Sequence, residues 1–78
     1  MRTSKKILGS EILCEYDSTN IKKAKYEINN RELDITFNNG SQYRYFDVPH
    51  DLFTEFDMAE SQGKTFSSKI RSLKYQKL

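Results

Sequence analysis

The sequence predicts an α+β domain: a three-stranded antiparallel β-meander followed by two C-terminal helices packed on one face. Three observations predict it. From Ile21 to Ile28, Ala24, Tyr26 and Ile28 alternate with Lys23, Lys25 and Glu27, the period of a half-buried strand with a charged outer face. Two further strand-like runs, Glu32 to Asn38 and Gln42 to Val48, lie on either side of the turn Asn38-Asn39-Gly40, a hairpin signal. Beyond Pro49 the period changes to three and four, placing Leu52, Phe53, Phe56 and Ala59 on one helical face.

Met1 to about Ser10 is polar and basic without a period and reads as a loose arm. Ile12 to Tyr16 reads as a weak strand or a short turn of helix, ordered by burial on the sheet or in a dimer contact. Asn29-Asn30 closes the turn after the first strand. The next hairpin has two open registers. A two-residue turn at Asn39-Gly40 turns Tyr43 and Tyr45 outward with Asp34 and Thr36, as a surface on which bases could stack. A three-residue loop with Gly40 in the left-handed region sets Phe37 opposite Ser41, Ile35 opposite Tyr43 and Leu33 opposite Tyr45. The second is preferred because it unites all five apolar residues in one stripe; it places Phe46 and Val48 on the outer face. Pro49 suits the first position of a helix that runs to about Glu60, where Ser61-Gln62-Gly63 stops it. Thr65 reads as the N-cap of a second helix, with Phe66, Ile70 and Leu73 as its buried stripe.

The spacing of these residues is similar to that of a known family. Leu33-Asp34-Ile35-Thr36-Phe37, Gly40, Tyr43-Arg44-Tyr45, Val48-Pro49, Ala59 to Gly63, Phe66 and Ile70-Arg71 resemble the KTSC domain, a small module at the C-terminus of some lysyl-tRNA synthetases and in stand-alone bacterial or phage proteins. The resemblance runs from about Asp17 to Tyr75. It implies a structural role for Gly40, Tyr43, Tyr45, Val48, Pro49, Gly63, Phe66, Ile70 and Arg71, and RNA binding as a candidate role. The chain therefore divides into a partly ordered N-terminal extension, residues 1–16, and a KTSC-like domain, residues 17–78. The first strand, Ala24-Lys25-Tyr26-Glu27, departs from the glycine-tyrosine-aspartate usual in that family.

Composition excludes much. Seventy-eight residues with 36% hydrophobic content make one small core with no room for a buried cofactor. The net charge of +2 falls short of what would itself argue for nucleic acid. The single cysteine, Cys14, cannot form an internal disulfide and points to a reducing, cytoplasmic setting. Glu11 interrupts the only signal-like start, and no stretch is long and apolar enough to span a membrane. Gly63-Lys64-Thr65 imitates the end of a phosphate-binding loop, but Met58 stands where its first glycine is required. His50 is the only histidine, so no metal set and no nucleophile–base pair can be assembled. Catalytic, cofactor and metal sites are all expected to be absent.

Charge is segregated along the C-terminal half. Residues 47–60 hold five acids and no Lys or Arg, whereas residues 61–78 hold Lys64, Lys69, Arg71, Lys74 and Lys77 and no acid. Ion pairing between neighbouring helices is the plain reading. The sharper one joins Lys69, Arg71, Lys74, Tyr75 and Lys77 on the basic helix with Lys22, Lys23, Lys25 and Arg44 on the outer strand face as a phosphate-contacting surface. The expected protein is a non-enzymatic binding module, with RNA as one partner class. The alternative is a protein-interaction module, self-associating or acting as a small phage-type inhibitor of a host protein.

Overall fold

The computed structural model describes residues 1–78. Six antiparallel strands form one meander in chain order: β1 (Arg2–Leu8), β2 (Glu11–Tyr16), β3 (Ile21–Glu27), β4 (Glu32–Phe37), β5 (Gln42–Tyr45) and β6 (Tyr75–Lys77). Between β5 and β6 the chain crosses one sheet face as α1 (His50–Asp57) and α2 (Gln62–Thr65), the latter running on as a π-helical turn, Phe66–Ile70. The fold is α+β with helices on one face, but the sheet has twice the expected strands.

Cross-strand register builds the core. One row on the helix side reads Ile7, Ile12, Tyr26, Leu33, Tyr45 and Tyr75, and the next reads Lys5, Cys14, Ala24, Ile35, Tyr43 and Lys77. The helices cover the middle of both rows, and there Phe53, Phe56, Phe66 and Ile70 close the core. The row ends, Ile7 at one edge and Tyr75 at the other, stay exposed.

The three-residue hairpin loop is the one observed. Leu33 pairs with Tyr45 and Ile35 with Tyr43, Phe37 N donates to Ser41 O at 2.9 Å, and Gly40 takes φ 91°. That left-handed φ costs glycine nothing and most residues something.

Several expectations are corrected. Residues 1–10, read as a loose arm, contain the edge strand β1. Gly9, at φ 62°, turns it into β2, whose Ile12, Cys14 and Tyr16 are buried. The third predicted strand stops at Tyr45 because Asp47 takes φ 56°. That turn sends Val48 into the core rather than to the outer face, where the sequence reading put it. The first helix ends at Asp57, short of Glu60. Gly63 lies inside the next helix, which Ser61 caps by accepting from Lys64 N at 3.3 Å; Thr65 does not cap it. The predicted long second helix ends at Ile70, and residues 75–77 pair with β5 instead.

Asp57 ties β1 to the helices. It is almost fully buried, accepts from Tyr16 Oη at 2.8 Å through one carboxylate oxygen, and receives Arg2 on the other, with Lys5 at 3.7 Å. A buried carboxylate needs such partners.

Burial also governs the core tyrosines. It pushes the Tyr45 hydroxyl up to about 12, raises Tyr16 with Asp57 adding to the shift, and raises Tyr26. The protonated form is favoured by folding, so this stability is complete below the ordinary tyrosine value near 10 and is lost as pH climbs through the folded values. Alkaline titration is therefore expected to leave circular dichroism intact up to about pH 10, with tyrosinate absorbance from these three rings rising together with unfolding. Full ionisation of all tyrosines in a still-folded chain would contradict this.

Candidate functional site

The outer sheet face is where the sequence placed half of its basic candidates. It forms a shallow groove of about 550 Å³ crossed by the row Lys6, Leu13, Lys25, Asp34, Arg44 and Gln76. Two of its four lining cations, Lys25 and Arg44, are engaged by carboxylates. Arg44 donates to both oxygens of Asp34, at 2.8 and 3.0 Å, and approaches Glu32 at 3.9 Å; Asp34 raises its pKa further. Lys25 lies between Glu11 at 3.9 Å and Asp34 at 3.8 Å. Lys22 occupies an irregularity in the β3–β4 register, and Lys23 lines the groove opposite Thr36. A phosphate arriving here would compete with carboxylates already in place.

The helix side offers a different surface. Five aromatic rings close a circuit of edge-on and tilted contacts: Phe66 to Phe37 at 5.4 Å, Phe37 to Tyr43 at 5.9 Å, Tyr43 to Tyr75 at 5.7 Å, Tyr75 to Tyr45 at 5.8 Å and Tyr45 back to Phe66 at 5.4 Å. Burial falls around the circuit. Tyr45 is 4% exposed, Phe37 and Tyr43 are partly covered, and Tyr75 is 57% exposed. Edge-on contacts of this kind hold rings in fixed orientations.

A polar cleft adjoins the circuit. Its floor comes from the π-helical turn, in which Arg71 N donates to Phe66 O at 2.9 Å, five residues back. One extra residue in a turn rotates the side chains beyond it by about 100° relative to an unbroken α-helix. Arg71 is thereby set beside Phe37 and Phe66, close enough to Tyr45 for its charge to oppose the upward shift of that hydroxyl. The opposite wall is the loop before β3, fixed to the hairpin tip by Asn38 N on Asn20 O and Asn38 Nδ2 on Ser18 O, both 2.8 Å. Two hollows of about 350 and 470 Å³ share Thr19, Asn20, Gly63 and Ser67; Arg71 lines one, Lys64 the other, and neither contains a carboxylate. Gly63 permits the close approach of the walls, since a Cβ there would meet Asn20 Nδ2 at 3.3 Å.

Residues 17–75 match the KTSC domain family. The chain belongs to that family. It is 39% identical over 59 residues to the lysine–tRNA ligase of Trichormus variabilis and 37% identical over 59 residues to that of Nostoc punctiforme. Each match takes in 74% of this chain but 10% of the relative, so the chain spans about a tenth of the length of the curated relatives it matches. A crystal structure of a KTSC domain protein from Yersinia pestis superposes with a TM-score of 0.80 at 28% identity, covering 87% of this chain and 97% of that one. The structural likeness thus reaches further along the chain than the sequence likeness.

In this KTSC domain the nine basic and aromatic candidates do not form one surface, because the helices and the outer sheet face lie on opposite sides. Lys22, Lys23, Lys25 and Arg44 belong to β3 and β5. Lys69 pairs with Glu55 of α1, and Lys74 lies over the Phe46 ring at 5.9 Å. Tyr75 and Lys77 lie on β6 opposite Tyr45 and Tyr43, and Arg71 lines the cleft to which the aromatic circuit connects them. The family-motif residues converge differently: Tyr45, Val48, Phe66 and Ile70 are core, whereas Gly63 and Arg71 line the cleft. Sequence reasoning missed Thr19, Asn20 and Ser67, which carry no signal beyond polarity. His50 stacks on Tyr26 at 5.8 Å.

Proposed function

We propose that this KTSC domain is a non-enzymatic RNA-binding module whose contact surface is the helix-side edge, with Arg71, Tyr75 and Lys77 as its principal contacts. The observation that carries the reading is Arg71 in a carboxylate-free cleft that the aromatic circuit joins to an exposed, braced tyrosine. Cations without competing acids bind phosphates, and aromatic faces accept bases. The relatives are named for a tRNA, which supports RNA as the partner class. Catalysis has little to draw on: the Cys14 thiol is pushed up to about 11 by burial, with Asp57 adding to the shift, and the one histidine stacks on a core ring.

A mobility-shift titration against mixed tRNA at low and high salt tests this. Reversing Arg71 and Lys77 to Glu is expected to weaken binding at least about tenfold and to flatten the salt slope by roughly 0.7 per lost phosphate contact. Reversing Lys6 and Lys23 on the outer groove is expected to change little. The opposite ranking would move the site to the outer face, and no binding at low salt would remove the reading altogether.

A second reading, docking of a protein partner, rests on β1. This edge strand exposes Ile7 at 63% and Leu8 at 54%, beside unpaired backbone groups that could receive another strand.

A further inference from the structure

We infer that the aromatic circuit and the adjoining cleft form a site for unpaired nucleotides, so that the RNA held by this domain is single-stranded at the point of contact. The inference rests on the RNA-binding reading and names its ligand class.

Tyr75 is the exposed member of the circuit. β6 is three residues long and lies at the sheet edge, so the helices do not reach its inner face and one ring stays open. An exposed tyrosine on a short edge strand would ordinarily sweep through several rotamers. Here Tyr43 meets it edge-on at 5.7 Å and Tyr45, itself fixed in the core, supports it at 5.8 Å. A braced ring loses little freedom when something stacks on it, and flat partners gain accordingly.

A base can use that face only when its own face is free. Inside a duplex both faces are covered by neighbouring pairs, whereas in a single strand or a loop they are not. The cleft supplies the second half of a nucleotide's chemistry. Arg71 and Lys64 present positive charge at its two hollows, and Asn20, Ser67 and Thr19 offer hydrogen bonds with no carboxylate among them. Base platform and phosphate cleft are joined through the circuit itself, by Phe37 and Phe66, which belong to both. A rigid duplex would meet the basic edge but leave the ring unused.

Fluorescence anisotropy with a labelled mixed-sequence RNA of about a dozen nucleotides, alone and annealed to its complement, distinguishes the two cases. The single strand is expected to bind about tenfold or more tightly than the duplex. Tyr75→Ala is expected to cost roughly tenfold for the single strand and to leave the duplex unaffected, while Tyr75→Phe, which keeps the ring, binds as the parent does. Arg71→Gln is expected to weaken both forms. Circular dichroism of each variant establishes that the fold is intact. Equal affinity for the two forms, or a Tyr75→Ala variant that binds the single strand unchanged, overturns the inference while leaving RNA binding in place. Failure of both forms to bind at about 50 mM salt removes the RNA-binding reading and the inference with it.

Discussion

A chain shortened to residues 17–78 is expected not to fold. The family match begins at Asp17, yet the strands before it hold Ile12, Cys14 and Tyr16 of the core. Large core side chains contribute about 2–5 kcal/mol each, against a total stability of about 5–15 kcal/mol for a small domain. Their loss would also strip Asp57 of Tyr16, Arg2 and Lys5. Breaking a buried pair costs up to about 3–5 kcal/mol. That figure is an upper bound here, because Arg2 and Lys5 are themselves more than a third exposed and their pairing is screened. Far-UV circular dichroism and amide dispersion in NMR check the outcome. A shortened chain that melts cooperatively near the temperature of the full one would show that the first two strands are an ornament on a self-sufficient domain.

Tyr26→Ala is expected to be the most damaging single substitution, at about 3–5 kcal/mol. The ring is fully buried, stacks on Phe53 at 4.5 Å with its planes nearly parallel, and also stacks against His50. Its hydroxyl donates to Val48 O at 2.6 Å, holding the strand-to-helix connection on the sheet. Tyr26→Phe separates the two contributions. It keeps the ring and strands a buried carbonyl, which costs about 1–3 kcal/mol. Urea denaturation of the two variants should therefore show a graded loss; a Tyr26→Phe protein as stable as the parent would mean that Val48 O has another donor.

The helix-side edge depends on features that act together. Asp47, at φ 56°, ends β5 and turns Val48 inward, so that α1 starts over the sheet. The π-helical turn then sets Arg71 toward the cleft, and the chain has enough length left to add β6 at the edge. A non-glycine residue at positive φ and an extra residue in a helical turn both carry a conformational cost that the surroundings must offset. The π-helical turn itself borders the candidate cleft.

Residue order alone was enough to read the α+β class, the hairpin register around Gly40, the apolar stripe Leu33, Ile35, Phe37, Tyr43 and Tyr45, the helix after Pro49, and the KTSC resemblance. Those features are local. Alternation, turn chemistry and three-to-four spacing are written in residues within one or two turns of each other. Contacts between distant parts of the chain settled everything else. β1 and β6 are edge strands with little cover on either face, so nothing forces their residues to alternate, and their pairing partners lie in other strands. Whether a lysine is available to a ligand was equally hidden. Lys25 and Arg44 face Asp34 across strands, and Lys69 faces Glu55 between helices; composition shows the charges but not which of them meet. Tyr75 reads in the sequence as part of a basic helix, and it became an exposed ring on a fixed support because strand pairing with β5, a contact between residues 30 positions apart, outweighed the local helical pattern.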